Sequence, residues 1–509
     1  MGADYLIVGS GLSALVFGAL MADAGKRVTI LEAHSHPGGF GHTFTMAKKY
    51  TFNAQLHYVW NCGEGETVNR VLRHLGLDQK VTFERYDPDG FDHMRMPGYS
   101  LAIPSDPDEL ARRLCAMFPN HRKQIQAFLT DLSLTSEGLG KPSSWVSPSA
   151  LFRHGSALAC IFKYRNSTLQ DVFDAFRLPQ AAQTLLASQW PDFLLPPDQL
   201  SFFAWVLLFT GYQRGAYYPT RHFEHVIDSL VAVIEAGGGE VLLDYEVTRF
   251  SVSGKQVTEL QATDLKQKQT KTFRGDSVIC NMDPKRAVSM IGGKHFSNTL
   301  HRKLNYDYSP SNFVAYCVVN DLDLRDYGFG KWNTFHSGHQ NLNEAFAKMY
   351  QHHDYSNPSF AITTPTLLTD KVRDCPEGHQ VLQFLTVADY DYFKRLKASG
   401  KKAYNTRKNE ILDAMLDVME AHYIPNLRAH LVYSITGTPT TNERYCGCPQ
   451  GNSYGSNLTP NNIGLGRLSH KSSLQNLYFC NASSGFAGFA GTFWTGAMLY
   501  QKLSGERIL

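Results

Sequence analysis

The sequence predicts an α/β fold, because β-forming runs alternate with helical patterns at the start, in the middle and at the end of the chain. At the start, the apolar run 4–8 precedes a glycine turn and a helical pattern over 12–24. In the middle, a helical pattern over 223–236 ends in three glycines and leads into short β-forming runs. At the end, the β-forming run 474–481 leads through glycines into a helical pattern from about 492 to 503. Such alternation is typical of a parallel sheet covered by helices.

Composition and charge favour a large folded protein and exclude some partners. Of 509 residues, 43% are hydrophobic, which suffices for a sizeable core. The 49 basic and 46 acidic side chains give a net charge of +3, which argues against nucleic acid as a partner. Nine cysteines without disulfide or zinc spacing indicate a cytoplasmic location and no metal. The apolar run 201–211 is shorter than the roughly 20 residues of a spanning helix. We predict a buried helix there, with a lipid-contacting or channel-lining surface as the alternative.

A dinucleotide-binding turn is predicted directly after the first strand. Gly9 permits the tight turn, and Gly11 lets the backbone approach a pyrophosphate, in the pattern G-x-G-x-x-G/A. Leu12 and Ser13 open the following helix, whose N-terminus favours an anion. The second strand ends at Glu32, where a carboxylate can accept hydrogen bonds from both ribose hydroxyls. An acid at this place disfavours a 2′-phosphate.

A second glycine pair follows shortly afterwards, at Gly38-Gly39, with Phe40 next. A nicotinamide-dependent dehydrogenase does not need this pair, which disfavours that class. The pair suits a backbone that passes over the same pyrophosphate a second time. The alternative is an ordinary glycine turn.

Glu32 followed by Pro37-Gly38-Gly39 resembles the start of flavoproteins of the amine oxidase and phytoene desaturase type. The resemblance implies an FAD cofactor whose pyrophosphate and ribityl chain contact the glycine pair. Phe40 stands where these proteins often have a basic or amide residue. A further landmark, F-D-x-G-x-H, is matched by Phe52 and His57 but not at its acid and glycine positions.

Further landmarks of this resemblance lie in the middle of the chain. The helix–glycine–strand block implies that Val247 lies beside the adenine, and Asn281 begins a stretch that resembles the N-A-D-P of carotenoid desaturases. Those relatives commonly carry a Gly-Gly pair after the proline equivalent to Pro219. Here Arg221 stands in that place, which puts a bulky cation in or near the expected active site.

The segment 437–455 most specifically resembles the branch that contains carotenoid isomerases, bacterial carotenoid desaturases and retinol saturases. It reads GTPTTNERY and then PQGNSYG, which is similar to TP-x-T-x-x-x-Y followed by P-x-G-x-x-YG. Its polar residues include Glu443, Arg444, Tyr445 and Tyr454. The alternative is a glycine-rich surface loop.

The end of the chain is predicted to meet the flavin ring. Glycines bring backbone close to a flat ring, and the helix N-terminus near Gly491 and Thr492 suits the negative charge of a reduced flavin. In the resembling proteins the preceding strand ends in Gly-Asp or Gly-Glu, whose acid binds the ribityl hydroxyls. Asn481 and Ala482 stand there, so a substitute hydrogen bond would come from Asn481.

The landmarks imply a Rossmann-type FAD-binding domain, similar to that of amine oxidases and phytoene desaturases, interwoven with an α+β substrate domain. The FAD-binding domain is assigned to 1–75, 220–290 and 470–509. The substrate domain with a helical lid is assigned to 80–215 and 295–435, and 436–469 is an active-site segment joining the two. Lid helices are predicted over 106–132, with Asp106 as N-cap, and over 402–422. The aromatic residues assigned to an apolar channel are Trp145, Trp190, Phe202, Phe203, Trp205, Phe209, Tyr212, Tyr217 and Tyr218.

The predicted function is FAD-dependent oxidoreductase or isomerase chemistry on carbon–carbon double bonds of a hydrophobic polyene, isoprenoid or fatty-acid-like substrate. Desaturation, saturation and cis–trans isomerisation stay open, with a slight preference for the last two. The candidate proton donors or anchors are Arg221, Glu443, Arg444, Tyr445, Tyr454 and His57. The predicted cofactor contacts are Gly9, Gly11, Leu12, Ser13, Glu32, Ala33, Gly38, Gly39, Phe40, His57, Val247, Asn281, Asn481, Gly491 and Thr492.

Three expectations accompany this function. If the substrate is a fatty acid, Arg221 is the expected partner of its carboxylate. A lipid-like substrate implies peripheral contact with a membrane or delivery by a carrier. The alternative function is a non-catalytic lipid-binding or escort protein on the same scaffold, because Rab escort and dissociation-inhibitor proteins resemble this fold and lack flavin.

Overall fold

The computed structural model describes residues 3–140, 148–369 and 374–509. Trp145, one of the predicted channel residues, lies outside them. Within these ranges no helix is long and apolar enough to cross a bilayer. The strands are β1 (Ala3–Val8), β2 (Val28–Leu31), β3 (Thr43–Met46), β4 (Tyr50–Asn53), β5 (Val59–Trp60), β6 (Phe83–Arg85), β7 (Asp92–Met96), β8 (Tyr99–Ile103), β9 (Ala216–Pro219), β10 (Glu240–Leu242), β11 (Tyr245–Ser253), β12 (Gln256–Asp264), β13 (Gln269–Phe273), β14 (Gly275–Cys280), β15 (Ser311–Asn320), β16 (Asn333–His336), β17 (Phe360–Thr363), β18 (His379–Ala388), β19 (Leu431–Gly437) and β20 (Leu477–Phe479). The helices are α1 (Leu12–Asp23), α2 (Thr67–His74), α3 (Pro107–Met117), α4 (Arg122–Leu139), α5 (Pro148–Tyr164), α6 (Leu169–Ala175), α7 (Gln180–Ala187), α8 (Phe202–Arg214), α9 (His222–Ala236), α10 (Pro284–Ile291), α11 (Asn298–Leu304), α12 (Leu342–Phe346), α13 (Tyr390–Ala398), α14 (Lys401–His422), α15 (Leu427–His430), α16 (Pro439–Cys446) and α17 (Gly488–Ser504).

A parallel sheet of five strands, in the order β10-β2-β1-β14-β20, forms the nucleotide-binding half. Its strands come from the start, the middle and the end of the chain, and β1 lies at the centre between β2 and β14. The predicted α/β fold is therefore confirmed. The sheet draws on all three segments assigned to the FAD-binding domain, whose boundaries stay a prediction.

Helix α1 is buried along almost its whole length, because it lies between the sheet and two further helices, α9 and α17. The close approach depends on small residues. A Cβ atom on Gly496 of α17 would lie 2.6 Å from the backbone oxygen of Ser13. The packing fixes the N-termini of α1 and α17 relative to each other, and both ends border the candidate site.

The second half is built on a sheet of seven strands, in the order β19-β15-β18-β17-β16-β7-β8. Its neighbours run antiparallel except for β16 and β7, which are parallel. Strand β15 is buried at nine of its ten positions and lies in the main hydrophobic core. The apolar run 201–211 falls in α8, which is mostly buried, as predicted.

Three predicted element boundaries were wrong. The lid helix expected over 106–132 is broken into α3 and α4, because Pro119 follows the last turn of α3 and cannot continue its hydrogen bonds. Its predicted N-cap is confirmed, since the side chain of Asp106 accepts a hydrogen bond from the backbone N–H of Asp108. The last strand is shorter than expected, and α17 begins at Gly488, four residues before Thr492.

Candidate cofactor and substrate site

The first glycine turn is held in place by hydrogen bonds that leave the N-terminus of α1 open. Gly9 has a φ of 93°, a conformation that favours glycine, and its N–H donates to the oxygen of Leu31 at 2.8 Å. The N–H of Gly11 donates to Oδ1 of Asn281 at 2.8 Å, and a Cβ on Gly11 would lie 2.5 Å from that oxygen. No side chain caps α1. The first N–H groups of the helix, at Leu12 and Ser13, therefore offer a site for an anion.

Glu32 lies at the carboxyl end of β2, beside this turn. Its Oε2 accepts hydrogen bonds from the N–H and the hydroxyl of Ser10 at 2.7 and 2.6 Å, and its Oε1 accepts from the N–H of His34 at 2.8 Å. The carboxylate is half-buried, and Ala33 beside it is exposed. A carboxylate has about four acceptor sites, so Glu32 can still accept one hydrogen bond from a ribose.

The second glycine segment contacts the first. The N–H of Gly38 donates to the oxygen of Ser10 at 3.0 Å, and Gly38 pairs with Gly11 in an isolated β-bridge. A Cβ on Gly39 would lie 3.5 Å from Cα of Gly11. Gly38 also has a φ of 103°, which favours glycine. Phe40 follows in a half-buried position. The backbone thus passes the first turn a second time, as the sequence predicted.

Asn281 joins the three chain segments that meet here. Its Oδ1 accepts from the N–H of Gly11, and its amide nitrogen donates to Oγ of Ser13 at 3.0 Å and to the backbone oxygen of Cys480. Ser13 itself donates to the same Cys480 oxygen at 3.0 Å. We infer that Asn281 positions the glycine turn.

The side chain of Val247, which the sequence predicted to lie beside the adenine, is buried in a smaller hydrophobic cluster with Leu31 and Ala262.

Asn481 is fully occupied by hydrogen bonds to its own chain. Its Oδ1 accepts from the N–H groups of Ser483 and Ser484, each at 3.1 Å. Its amide nitrogen donates to the oxygens of Cys280 and Met282 at 3.3 and 3.2 Å. All four hydrogen-bonding positions of the amide are used. Its position gives no support to the substitute hydrogen bond expected from the sequence.

The last helix, α17, begins after Ala487 without a side-chain cap, so its first N–H groups are also open to an anion. Gly491 packs against Phe486, since a Cβ there would lie 2.8 Å from the Phe486 Cβ. The hydroxyl of Thr492 donates to the oxygen of Phe489 at 2.8 Å. Both predicted residues therefore lie inside the helix instead of at its start.

A buried arginine supports the loop before α17, and the sequence analysis missed it. Arg467 is 7% exposed and donates to the backbone oxygens of Ala482, Gly485 and Asn462, the last at 3.1 Å. Burial lowers the pKa of Arg467 to about 10. No motif surrounds Arg467, so no sequence signal identifies it.

The predicted proton donors and anchors fall into two groups. His57 and Tyr454 lie deep in the protein, whereas Arg221, Glu443, Arg444 and Tyr445 are exposed. Nδ1 of His57 lies 3.2 Å from Oε1 of Gln383, while its Nε2 is buried without a partner. Desolvation lowers the pKa of His57 to about 4 and raises that of the Tyr454 hydroxyl, so both are neutral at pH 7.

The exposed group lies on the outer surface. Glu443 accepts a hydrogen bond from the hydroxyl of Tyr390 at 2.6 Å, and the guanidinium of Arg444 lies 5.3 Å from the ring centre of Tyr445. The rings of Tyr445 and His34 meet edge to face, with their centres 6.1 Å apart. The structure does not bring these side chains together with His57 and Tyr454.

Asn442, which the sequence analysis did not select, is one of the buried residues of α16. Its amide nitrogen donates to Oγ of Ser311 at 3.2 Å and to Oδ1 of Asn312 at 3.0 Å, and its Oδ1 accepts from Gln55 at 3.0 Å. Gln55 stands at the glycine position of the F-D-x-G-x-H landmark. The side chain that replaces the glycine thus joins α16 to β15.

His222, next to Arg221, takes the place that glycine occupies in the resembling proteins. It has a φ of 75°, which favours glycine, and it is 4% exposed. Its Nε2 lies 2.9 Å from Oδ1 of Asp374, which is 1% exposed. His222 thus adopts a left-handed backbone although it is not glycine, and its ring contacts a buried carboxyl group.

Most of the aromatic residues predicted to line a channel belong to the core instead. Phe202, Trp205 and Phe209 are 0% exposed, and the last two rings stack with centres 4.7 Å apart. A side chain without accessible surface cannot line an open space. Among the residues described, no group of three or more His, Cys, Asp or Glu side chains is arranged to hold a metal ion.

Comparisons with known proteins agree with this arrangement. Residues 7–75 match the NAD(P)-binding Rossmann-like domain. The chain is 23% identical to all-trans-retinol 13,14-reductase from Danio rerio, over 97% of this chain and 84% of the relative. It is 20% identical to the chloroplastic prolycopene isomerase from Arabidopsis thaliana, over 95% of this chain and 79% of the relative. A solved structure of putrescine oxidase bound to putrescine superimposes with a TM-score of 0.65 at 12% identity, over 99% of this chain and 100% of the other. These similarities confirm the resemblance to the carotenoid isomerase and retinol saturase branch and the Rossmann-type fold.

Proposed function

We propose that this chain is an FAD-dependent oxidoreductase or isomerase that acts on carbon–carbon double bonds of a hydrophobic polyene, isoprenoid or fatty-acid-like substrate. The observation that carries the proposal is the contact between Gly38-Gly39 and the turn around Gly11, beside Glu32 and the open N-terminus of α1. A nicotinamide site needs only the first of these segments. The second segment supports a cofactor that extends beyond its pyrophosphate towards α17.

The described residues fit the adenosine and pyrophosphate half of FAD. Glu32 is placed for the ribose, and the N–H groups at the start of α1 are placed for the pyrophosphate. At the flavin end, the uncapped start of α17 suits negative charge. The ribityl end differs from the resembling proteins, because Asn481 is occupied and Ala482 is apolar. FAD would supply hydride transfer at a double bond, while the chain binds it and excludes water.

The relatives' names support the substrate class. One is named for the reduction of all-trans-retinol and another for the isomerisation of prolycopene, and both align over nearly the whole chain. Fatty-acid-like substrates remain part of the proposal, but the exposed position of Arg221 gives no support to its role as a carboxylate anchor. The enzyme names do not favour the non-catalytic escort alternative.

A hydrophobic substrate has to enter from a membrane or a carrier, so the proposal includes peripheral membrane contact. Leu465 supports it, since this side chain is 96% exposed between two glycines. Sedimentation with phosphatidylcholine vesicles tests this contact, and we expect Leu465→Ser to weaken binding. Protein that stays in the supernatant at every lipid concentration would rule the contact out.

The function is tested by anaerobic incubation of the purified protein with all-trans-retinol, prolycopene or a polyunsaturated fatty acid, with and without reductant. Product mass and retention are read by mass spectrometry. A gain or loss of two hydrogens indicates saturation or desaturation, and an unchanged mass with altered retention indicates isomerisation. A colourless protein that takes up no added FAD and changes none of these compounds would overturn the proposal and favour the escort alternative.

A further inference from the structure

A buried pair of carboxyl groups lies in the substrate half, and one tyrosine hydroxyl joins them. Asp92 begins β7 and is 0% exposed, while Asp192 ends the helical turn Trp190–Asp192. The hydroxyl oxygen of Tyr58 lies 3.0 Å from Oδ2 of Asp92 and 2.8 Å from Oδ2 of Asp192. A hydroxyl has one hydrogen to donate. Both contacts are hydrogen bonds only if one of the carboxyl groups carries a proton and donates it to Tyr58.

The surroundings also favour a shared proton. The amides of Gln189 and Asn333 donate to Asp92, and within the described part of the chain no cation acts on either carboxyl group. Burial raises the pKa of Asp92 to about 7, and burial together with repulsion by Asp92 raises that of Asp192. Two adjacent carboxyl groups without a counter-charge titrate as a pair that holds one proton over an extended pH range.

The two carboxyl groups differ in access to the interior. Asp92 is enclosed completely, whereas Asp192 lies as deep in the protein but retains accessible surface. A side chain far below the surface keeps accessible area only when it borders an internal space. Tyr454 has the same combination of depth and access, and the charge of Asp192 acts on its hydroxyl. Asp192 and Tyr454 therefore both face accessible space and lie within electrostatic range of each other.

This space adjoins the segment that contacts the predicted flavin end. Directly after Tyr454, the N–H of Ser456 donates to Oγ of Ser483 at 3.0 Å, and a Cβ on Gly455 would lie 2.2 Å from that oxygen. Ser483 lies in the loop that Arg467 supports before α17. The carboxyl pair thus lies on the substrate side of the junction between the two halves.

We propose that Asp192 donates a proton to the substrate double bond, and that Asp92 and Tyr58 hold this proton ready. The step rests on the proposed function in its reductive form. One new C–H bond forms with a hydride from the reduced flavin, which is thereby oxidised. The second forms with the proton that leaves Asp192 as the carbon–carbon π bond breaks, and Asp192 becomes a carboxylate. Asp92 touches only protein and acts as a positioning residue.

The first test compares Asp192→Asn with the wild type as holoproteins. We expect turnover to fall by roughly 100-fold or more, the usual contribution of a general acid, while bound FAD and polyene affinity stay unchanged. In deuterated water the wild type should place one solvent deuterium in the product. The control is Asp198→Asn, an exposed residue of the same segment. Turnover of Asp192→Asn within about twofold of the wild type would overturn the proposal.

The second test uses the pH profile, which a purely structural role would not move. The groups that face the pair are Tyr58, Tyr86, Tyr212, Tyr454, Gln189 and Asn333. Asp92→Asn removes a negative charge beside Asp192, lowers its pKa, and should move the alkaline loss of turnover to lower pH. Tyr58→Phe removes a hydrogen bond that stabilises the carboxylates, and should move it to higher pH. Identical profiles in all three proteins would contradict the shared proton.

The third test is independent of the substrate. A protonated carboxylic acid has a carbonyl stretch separate from that of a carboxylate, so infrared difference spectroscopy can follow the pair in protein without polyene. We expect an acid band at pH 7 whose intensity or frequency changes in both Asp92→Asn and Asp192→Asn. A wild type that lacks this band refutes the shared proton. A wild type that shows it but turns over no polyene refutes the proposed function and, with it, the assigned proton transfer.

Discussion

The contact between His222 and Asp374 should contribute strongly to stability. Both side chains are at least 96% buried, with Nε2 and Oδ1 2.9 Å apart. His222→Ala leaves the buried carboxyl group of Asp374 without this partner, which typically costs about 1–3 kcal/mol. For a cooperative unit of 150–250 residues this corresponds to a fall in Tm of roughly 2–12 °C. His222→Gly should be less harmful by about 1 kcal/mol, because glycine adopts a φ of 75° without strain.

Differential scanning calorimetry of holoprotein at fixed FAD concentration measures these shifts. Asp374→Asn is the matched variant, since it retains an acceptor near His222 but removes the buried charge, and it should lower Tm less than His222→Ala. The double variant His222→Ala/Asp374→Asn should be no less stable than His222→Ala alone, because the unpaired charge is gone. If Tm is unchanged in His222→Ala, or if Gly and Ala at position 222 give equal values, the reasoning from burial and backbone conformation is refuted.

Three further predictions concern the cofactor site and pH. In Gly11→Ala the new Cβ would lie 2.5 Å from Oδ1 of Asn281 and would push that oxygen away, so the Kd for FAD, measured by absorbance titration, should rise at least about tenfold. The control is Gly155→Ala, whose new Cβ meets no atom within 4 Å and should leave the Kd unchanged. Equal affinities in the two variants would contradict the close approach at Gly11. Burial lowers the pKa of His57 to about 4, so the unfolded chain binds more protons than the folded protein between about pH 6.5 and 4. The free energy of unfolding therefore decreases as the pH is lowered through that window. His57→Gln should flatten the fall of Tm there, and an unchanged slope would show that the histidine is not neutral in the fold. Arg467→Met leaves three backbone oxygens without their donor and should lower both Tm and FAD affinity. Arg467→Lys should restore part of each. If Arg467→Met binds FAD as tightly as the wild type, Arg467 does not support the loop that contacts the flavin.

The sequence predicted those parts of the fold that depend on local patterns. The strand, glycine turn and helix around Gly11 carry their own periodicity, turn chemistry and caps, so the structure reproduces them nearly residue by residue. The contact between Gly11 and Gly38 was also predictable, because a second glycine pair suits a backbone that passes the first turn again.

Side-chain orientation could not be predicted in the same way. The resemblance over 437–455 selects Glu443, Arg444 and Tyr445 by position, but α16 turns these three outward and Asn442 inward. Which face of a short helix is buried depends on what packs against it, here Gln55 and β15, which are remote in sequence.

Tertiary clusters without a motif were missed for a related reason. Asp92 and Asp192 lie far apart in the chain and meet only through Tyr58, so no spacing rule connects them. Arg467 pairs with backbone oxygens, which no side-chain pattern records. The many aromatic residues were assigned to a substrate channel, whereas Trp205 and its neighbours fill the hydrophobic core. Composition alone does not distinguish residues that line a channel from residues that pack in a core.

The central claim is that a flavin held by the paired glycine segments reacts with a polyene. The most direct measurement mixes anaerobic holoprotein, once with oxidised and once with reduced flavin, with a polyene and follows flavin absorbance and product mass together in a single turnover. We predict flavin reduction with a loss of two hydrogens, flavin oxidation with a gain of two hydrogens, or an isomerised product with the reduced flavin unchanged. A flavin that keeps its oxidation state in both experiments while all-trans-retinol, prolycopene and the fatty acid are each recovered unchanged would contradict the claim.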